Sequence, residues 1–401
     1  MYTQFELMRE LSIATPSKIV LLVIDGLGGI PDISGKTELE TAHTPNMDKL
    51  AAEGICGLLQ TAGAGITPGS APGHLGLFGY DPLDYRIGRG VLEALGINFP
   101  LMPGDIAARG NFCTIDAAGL ITDRRAGRIS TEENRKRCLL LDGLEFNGVK
   151  TIVKAVTGHR FVAVFRGDGL SAELGDTDPQ QLGTPPKKVP VLAPEATYTA
   201  DIVNRFLSEA RERLSAHPPA NMILLRGFSK KPVFPSFADI YKLKSAAIAS
   251  YPMYRGLAKV VGMSILETGP NLEDELATLK KHFADFDFFF MHVKDADAAG
   301  EDGDFMRKVS AIEKVDKILP QIMELNPDVL AITGDHSTPA TMAGHSWHPV
   351  PCLLYSKWCR PDRLAEFSEF TCRQGSLGQI PAASLMPQLM AHALKLTKYG
   401  A

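Results

Sequence analysis

The residues of this chain whose side chains could carry out chemistry are one serine and a set of carboxylates and histidines. Ser70 lies in the glycine- and proline-rich segment 67–74. Glycine and proline disfavour a helix, so we predict a tight turn that exposes the hydroxyl group. The possible ligands are Asp25, Asp297, Glu301, Asp335, His336 and His345. Their oxygen and nitrogen atoms suit two divalent metal ions that would activate a hydroxyl nucleophile.

Each of these residues also has an ordinary structural interpretation. Asp25 alone would be a helix cap or a turn residue, and the acidic segment 295–304 would be a solvated loop. A single histidine near a strand end is usually structural, but His336 adjoins an aspartate and precedes His345 and His348. The chain lacks the ligand spacing of an EF-hand, the H-E-x-x-H zinc motif and the glycine spacing of a dinucleotide fingerprint. A metal site built from distant segments is therefore the favoured interpretation.

Apolar runs place these side chains at the ends of predicted strands. The runs cover residues 18–24, 287–293, 329–333 and 350–355. Continuous apolar runs are typical of buried parallel strands, and ligands gather at the carboxyl ends of such strands. Helices are predicted over residues 45–53, 304–318 and 383–398. The pattern predicts an α/β fold with a mostly parallel sheet flanked by helices.

The middle of the chain has a different texture, with strand-like segments separated by loops rich in glycine, proline and arginine. We predict a smaller inserted α/β domain over residues 104–262, within a discontinuous core domain of residues 1–103 and 263–401. Arginine suits bidentate binding of phosphate or carboxylate groups, so the insert is predicted to bind an anionic substrate and to close as a lid. The candidate arginines are Arg109, Arg124, Arg125, Arg128 and Arg255.

Composition excludes several classes of function. The formal charge of −4 over 401 residues gives no polyanion-binding surface, so no nucleic-acid partner is predicted. The longest apolar run, residues 286–293, is too short to span a membrane. The six cysteines are scattered without a C-x-x-C spacing, which indicates reduced thiols. We predict a cytoplasmic protein, and the sequence carries no signal for an oligomeric state.

A series of ordered motifs identifies a resemblance over nearly the whole chain. The motifs lie at residues 23–28, 44–50, 69–75, 78–82, 88–96, 109–112, 123–129, 176–179 and 334–339. Together they resemble the archaeal-type cofactor-independent (2,3-bisphosphoglycerate-independent) phosphoglycerate mutases of the alkaline phosphatase superfamily. The resemblance implies an alkaline-phosphatase-like core and an isomerase that interconverts 3-phosphoglycerate and 2-phosphoglycerate through a phosphoserine. It also implies two divalent ions, Mn²⁺ or Mg²⁺, and no 2,3-bisphosphoglycerate.

The same resemblance implies a role for each site residue. Ser70 is the nucleophile and a ligand of the first ion, whose other ligands are Asp25, Asp335 and His336. The ligands implied for the second ion are Asp297, Glu301 and His345. Glu301 stands where the family pattern D-x-x-x-H has a histidine, and His348 is an alternative ligand. A carboxylate in place of an imidazole favours Mn²⁺ or Mg²⁺ over softer ions.

Two other functions stay open on the sequence. The first is a phosphatase or another phosphotransferase of the same superfamily, including a homoserine kinase, although no P-loop is visible. A mutase becomes a phosphatase if water reaches the phosphoserine before the bound glycerate does. The second is a catalytically silent binding protein, which the joint presence of the serine, carboxylates and histidines argues against.

Overall fold

The computed structural model describes residues 3–400, which form two compact units. The larger unit comprises the chain up to Arg86 and again from Phe234, and the smaller unit is Ile87–Val233. The helices of the larger unit are α1 (Gln4–Leu11), α2 (Glu38–Thr41), α3 (Pro45–Glu53), α4 (Ser70–Leu77), α8 (Phe237–Tyr241), α9 (Pro252–Val260), α10 (Leu272–His282), α11 (Asp295–Glu301), α12 (Phe305–Met323), α13 (Glu369–Cys372) and α14 (Leu385–His392). Its strands are β1 (Ile19–Ile24), β2 (Ile55–Gln60), β9 (Ser245–Ile248), β10 (Ser264–Leu266), β11 (Phe288–Val293), β12 (Val329–Thr333), β13 (Val350–Ser356) and β14 (Gly378–Pro381).

The strands of the larger unit form one sheet in the order β10-β9-β11-β1-β12-β13-β2-β14. Neighbours from β10 to β12 are parallel, whereas β13 is antiparallel to both β12 and β2. Helices such as α3, α10 and α12 pack against this sheet. The predicted α/β fold with a mostly parallel sheet flanked by helices is confirmed.

The central strand β1 shows why these residues form a buried sheet. All six of its side chains are fully buried, as expected for a continuous apolar run that is covered on both faces. Val20, Leu22 and Ile24 share a core cluster with Ile312 and Leu319 of α12. The apolar run therefore holds the strand in the sheet interior, and the first polar side chain after it is placed at the sheet edge.

The smaller unit contains an antiparallel sheet with helices. Its helices are α5 (Arg89–Gly96), α6 (Thr131–Leu141) and α7 (Thr197–Leu214). Its strands are β3 (Ile106–Ile115), β4 (Ile121–Asp123), β5 (Glu145–Phe146), β6 (Val149–Thr157), β7 (Arg160–Arg166) and β8 (Met222–Ser229). β3 lies between β7 and β8, and both pairings are antiparallel. The strand-like segments that the sequence predicts in the middle of the chain correspond to strands of this sheet, among them β3, β7 and β8.

The unit boundaries differ from the predicted domain limits of 104 and 262. The smaller unit begins earlier, at Ile87, because α5 packs against β3 and β8. It also ends earlier, at Val233, because β9 pairs with β11 and so belongs to the large sheet. Glycine- and proline-rich stretches marked loops in the sequence, but the sheet pairings set the limits of the units.

Two further details differ from or add to the sequence predictions. The last helix, predicted to reach residue 398, ends at His392, since Leu394 takes a left-handed backbone conformation with a φ of 53°. Among residues 3–400, no helix combines the length and the apolar character that crossing a bilayer requires.

Glu275 is a buried acidic side chain whose ionisation is expected to oppose folding. Its Oε1 atom accepts a hydrogen bond from the backbone N–H of Ser250 at 3.2 Å, but burial raises its pKa from 4.5 to about 8. The pKa of Glu275 is higher in the folded state than in the unfolded state. Its neutral form therefore contributes fully to the free energy of unfolding at pH values below the unfolded-state pKa. That stability is lost as the pH rises through the folded value of about 8.

We predict that Glu275→Gln raises the melting temperature at about pH 9 and leaves it nearly unchanged at about pH 5. The substitution keeps the acceptor oxygen and removes the charge, and the gain is expected to be roughly 1–3 kcal/mol. Circular dichroism melts across the pH range measure it, with Glu273→Gln on the exposed face of α10 as the control. An equal effect of Glu275→Gln at both pH values would contradict the prediction.

Candidate metal centre

Three adjacent parallel strands bring the predicted ligands to one edge of the large sheet. β1 lies between β11 and β12, with Ile24 opposite Val293 and Val23 opposite Thr333. Asp25 follows β1 directly, α11 with Asp297 follows β11, and Asp335 with His336 follows β12. Because the strands run in the same direction, their carboxyl ends deliver these side chains to one place.

Ser70 lies at the first position of helix α4, with Gly69 as the N-cap residue. The prediction of a non-helical turn is therefore wrong. Pro72 fits in the first turn because the leading N–H groups of a helix have no intrahelical acceptor, so none is lost. Gly73 allows a close approach of α4, since a Cβ atom there would lie 2.1 Å from the carbonyl oxygen of Asp335. The glycines and the proline thus place the serine beside the strand ends.

The Ser70 side chain is half-buried and faces the ligand cluster. Its Oγ atom lies 3.2 Å from Nε2 of His336. His74, one turn further along α4, places its Nδ1 atom 2.8 Å from the carbonyl oxygen of Ser70 and 3.1 Å from Oδ2 of Asp335. The imidazole of His74 therefore ties the start of the helix to the β12 loop.

The first ligand group consists of Asp25, Asp335 and His336, all fully buried and close enough together to hold a metal ion. Nε2 of His336 lies 3.3 Å from Oδ1 of Asp25 and 3.2 Å from Oδ2 of Asp335. Apart from imidazole nitrogens at 3.1–3.3 Å, these two carboxylate oxygens have no hydrogen-bond donor among residues 3–400. Buried carboxylate oxygens rarely lack partners, so this donor set fits a cation.

The other carboxylate oxygen of Asp25 is saturated with donors. Oδ2 accepts hydrogen bonds from the Tyr254 hydroxyl, from Nε2 of His292 at 3.1 Å and from Nζ of Lys294 at 3.0 Å. Burial acts to raise the pKa of Asp25, but Lys294 and His292 outweigh it and hold the pKa well below its ordinary value. Burial lowers the pKa of His292, so a neutral imidazole donates this bond. Asp25 is therefore an anchored carboxylate with one oxygen available.

The second ligand group consists of Asp297, His336 and His345. Nε2 of His345 lies 3.5 Å from Oδ1 of Asp297, and the His336 and His345 rings stack with centroids 3.7 Å apart. Burial acts to lower the pKa of His345, but hydrogen bonds to Asp297 and Glu301 raise it to about 10. Burial acts to raise the pKa of Asp297, but His345 and Lys294 hold it at about 2. The lowered pKa of Asp297 keeps its carboxylate in the charged form.

Glu301 and His348 lie at the margin of this second group. Oε1 of Glu301 is 3.7 Å from Nε2 of His345, and its side chain is 56% exposed. His348 places Nδ1 3.0 Å from the hydroxyl of Ser346 and stacks on Trp347. His336 stands in the compact group where the sequence placed Glu301. The assignment of Glu301 as a ligand stays a prediction.

The candidate arginines separate into two sets. Arg124 makes a bidentate pair with the buried carboxylate of Asp178, at 3.0 and 2.6 Å, and Arg255 pairs with Glu267 at 2.5 Å. The second set, Arg109, Arg125 and Arg128, adds positive charge together with Arg160 near His159 of the smaller unit. Arg109 also has a carboxylate partner, since its Nε atom lies 3.5 Å from Oε1 of the buried Glu93. Burial and these positive charges lower the pKa of His159 to about 4.

Several residues of the centre were not assigned from the sequence. Lys294 follows β11 directly and precedes Asp297 by one helical turn, so the strand-end rule could have found it. Tyr254 comes from α9 and His292 from inside β11, and neither has a local sequence signal. Lys308 of α12 donates hydrogen bonds to the loops after β1 and β12, the second of them at Thr338. The roles of these two residues become visible only once α12 is packed on the loops.

The chain is thus an α/β protein with a candidate metal centre beside a serine, at the carboxyl edge of its large sheet. The family model described as 2,3-bisphosphoglycerate-independent phosphoglycerate mutase matches residues 51–220. A probable enzyme of that description from Thermosipho africanus is 51% identical over 398 residues, covering 99% of both chains. One from Thermus thermophilus is 50% identical over 403 residues, again covering 99% of both.

Solved structures agree with the sequence comparison. A protein from Pyrococcus horikoshii matches with a TM-score of 0.83 and 30% identity, over 97% of this chain and 100% of that one. A cofactor-independent phosphoglycerate mutase from Thermoplasma acidophilum matches with a TM-score of 0.70 and 31% identity, over 94% and 100%. The chain belongs to the family of 2,3-bisphosphoglycerate-independent phosphoglycerate mutases. The predicted family, an isomerase family, is thereby confirmed.

Lys308 is a buried lysine that joins two of the loops that carry the ligands. Its Nζ atom donates hydrogen bonds to the carbonyl oxygens of Gly28 and Thr338, each at 2.9 Å, and lies 3.7 Å from Oε1 of Glu38. The ammonium group therefore holds the loop after β1 against the loop after β12. Its removal would leave two carbonyl groups and a buried carboxylate without this partner.

We predict that Lys308→Met lowers the free energy of unfolding by about 3–5 kcal/mol, because breaking a buried ion pair leaves an uncompensated charge. Chemical denaturation measures this loss. Lys314→Met, on the exposed face of the same helix, is the matched control and is expected to change stability by less than about 0.5 kcal/mol. Equal stabilities of the two variants would show that the buried contacts of Lys308 are not needed.

Proposed function

We propose that this protein interconverts 3-phosphoglycerate and 2-phosphoglycerate through a phosphoserine at Ser70, with divalent metal ions and without 2,3-bisphosphoglycerate. One observation carries the proposal. The Ser70 hydroxyl lies 3.2 Å from Nε2 of His336, beside two buried carboxylate oxygens that lack hydrogen-bond partners among residues 3–400. The relatives from Thermosipho africanus and Thermus thermophilus are probable phosphoglycerate mutases, which supplies the substrate class.

The residues present fit a pair of hard divalent ions such as Mn²⁺ or Mg²⁺, because carboxylate oxygens dominate the donor set. The proposed ligands of one ion are Asp25, Ser70, Asp335 and His336, and those of the other are Asp297 and His345 with Glu301 or His336. When bound, these ions would lower the pKa of the serine hydroxyl and offset the charge of the phosphoryl group.

The residues of the chain account for the two transfer steps. Ser70 Oγ loses its proton and forms a bond to phosphorus while the bond from phosphorus to the glycerate oxygen breaks, and that oxygen takes up a proton. The other hydroxyl of the bound glycerate then loses its proton and attacks the phosphoserine, and the bond from phosphorus to Ser70 Oγ breaks as Oγ takes up a proton. The start of α4 suits this chemistry, because the N–H groups of a helix N-terminus favour phosphoryl oxygens.

The smaller unit is proposed to bind the charged groups of the glycerate. The positive charge that Arg125 and Arg128 place near His159 supports this role, because planar guanidinium groups bind carboxylates in a bidentate manner. Arg109, Arg124 and Arg255 already have Glu93, Asp178 and Glu267 as carboxylate partners, so we favour structural roles for them over the predicted substrate contacts. The lid function of this unit and the cytoplasmic location of the protein stay predictions.

We predict that Ser70→Ala lowers mutase activity by about a thousandfold or more, because the nucleophile is removed. The assay couples enolase to chelator-stripped protein supplied with 3-phosphoglycerate and Mn²⁺ or Mg²⁺, without 2,3-bisphosphoglycerate. Mass spectrometry of the quenched wild-type protein should show phosphate on Ser70. Ser34→Ala, at an exposed position, is the control.

Either of two results would contradict this function. Retained mutase activity in Ser70→Ala would exclude the serine as the nucleophile. Release of inorganic phosphate from the substrate by the wild-type protein, without formation of 2-phosphoglycerate, would identify the phosphatase alternative.

We predict that Arg128→Met raises KM for 3-phosphoglycerate at least about tenfold, because a charged hydrogen bond contributes roughly 1.5–3 kcal/mol to binding. Steady-state kinetics with the same coupled assay measures it. Arg213→Met is the matched control, since Arg213 lies on α7 of the same unit and pairs with Glu209. Equal KM values for the two variants would place Arg128 outside the substrate site.

A further inference from the structure

Thr338 is a fully buried threonine whose hydroxyl joins the two ligand groups. Oγ1 donates a hydrogen bond to Oδ1 of Asp297 at 2.7 Å and lies 2.9 Å from Nδ1 of His336. A hydroxyl has a single proton, and here Asp297 receives it. The short contact with His336 is therefore a bond that Nδ1–H donates to the threonine oxygen.

This hydrogen bond decides which tautomer His336 adopts. A neutral imidazole with its proton on Nδ1 has its lone pair on Nε2. Nε2 is the atom that faces the Ser70 hydroxyl and the open oxygens of Asp25 and Asp335. Thr338 thus presents the imidazole with its acceptor atom towards the first ligand group.

The backbone of Thr338 holds the hydroxyl in place. Its N–H group donates to the carbonyl oxygens of Gly28 at 3.0 Å and Gly26 at 3.3 Å, and its own carbonyl accepts from Lys308. Gly26 has a φ of 67°, and a Cβ atom there would lie 2.6 Å from the threonine Oγ1. The loop after β1, helix α11 and the loop after β12 therefore meet at this residue, which leaves little room for it to shift.

We propose that Thr338 is a positioning residue that sets the ligand geometry of both groups at once, an inference that rests on the metal centre proposed above. Its hydroxyl fixes the tautomer and ring orientation of His336 and the orientation of the Asp297 carboxylate. Hydrogen bonds to the ligands of a metal typically contribute a factor of about 10–100 to its affinity. Because the same hydroxyl donates to Asp297 and accepts from His336, its loss disturbs both ligand groups together.

Titration of chelator-stripped protein with Mn²⁺ by isothermal calorimetry tests this role without reference to activity. Thr338→Val, which keeps the shape and removes the hydroxyl, is expected to weaken Mn²⁺ affinity about 10–100-fold. Thr338→Ser, which keeps the hydroxyl, should rescue affinity to within about threefold of the wild type. Thr333→Val is the matched control, since Thr333 is equally buried and donates its hydroxyl to the carbonyl of Pro351 at 3.0 Å.

The outcomes separate this inference from the proposed function. If the wild-type protein does not bind Mn²⁺, the metal centre itself is wrong and the inference falls with it. If the wild-type protein binds Mn²⁺ and the two variants Thr338→Val and Thr333→Val bind it with equal affinity, the Thr338 hydroxyl has no special role. Thermal melts of the metal-free proteins complete the test. If Thr338→Val and Thr338→Ala fail to fold while Thr338→Ser folds, the hydroxyl serves folding and the proposal is overturned.

Discussion

The structure of the larger unit depends on how negative charge is stabilised at the carboxyl edge of its sheet. Asp25, Asp297 and Asp335 are all buried where parallel strands end, and buried carboxylates are costly unless they are paired. Lys294 donates to two of these carboxylates, and His336 lies between the two ligand groups. Oxygens that lack a partner among the described residues remain, and they face one imidazole nitrogen. Such an arrangement favours added positive charge.

Rigid loops make that charge arrangement useful for chemistry. Asp25 is held by donors from α9, β11 and the residue after β11, so its free oxygen points in a fixed direction. Lys308 and Thr338 connect the loops after β1 and β12, and His74 connects α4 to the second of these loops. Ser70 therefore stands beside a preorganised group of side chains.

Much of this centre was predictable from local sequence patterns. The apolar runs that became β1, β11 and β12 are buried on both faces, so their ends and the side chains that follow were identified correctly. Local patterns failed where one segment is shaped by another. Ser70 begins a helix because its N-terminal turn tolerates Pro72 and because Gly73 permits contact with the β12 loop. The unit limits also moved, since the pairing of β9 with β11 lies outside any local signal.

The sequence by itself determined the α/β class, the strand ends, the family and the residue types that can bind metal, because burial periodicity and motif order are local properties. Tertiary structure alone decided which residues stand next to one another. It placed Tyr254 and His292 on Asp25, put His336 rather than Glu301 in the compact second group, and paired Arg124 and Arg255 with carboxylates. The physical reason is that hydrogen bonds and ion pairs depend on distances of a few ångströms between segments far apart in the chain. Only the packing of the sheet and its helices sets those distances.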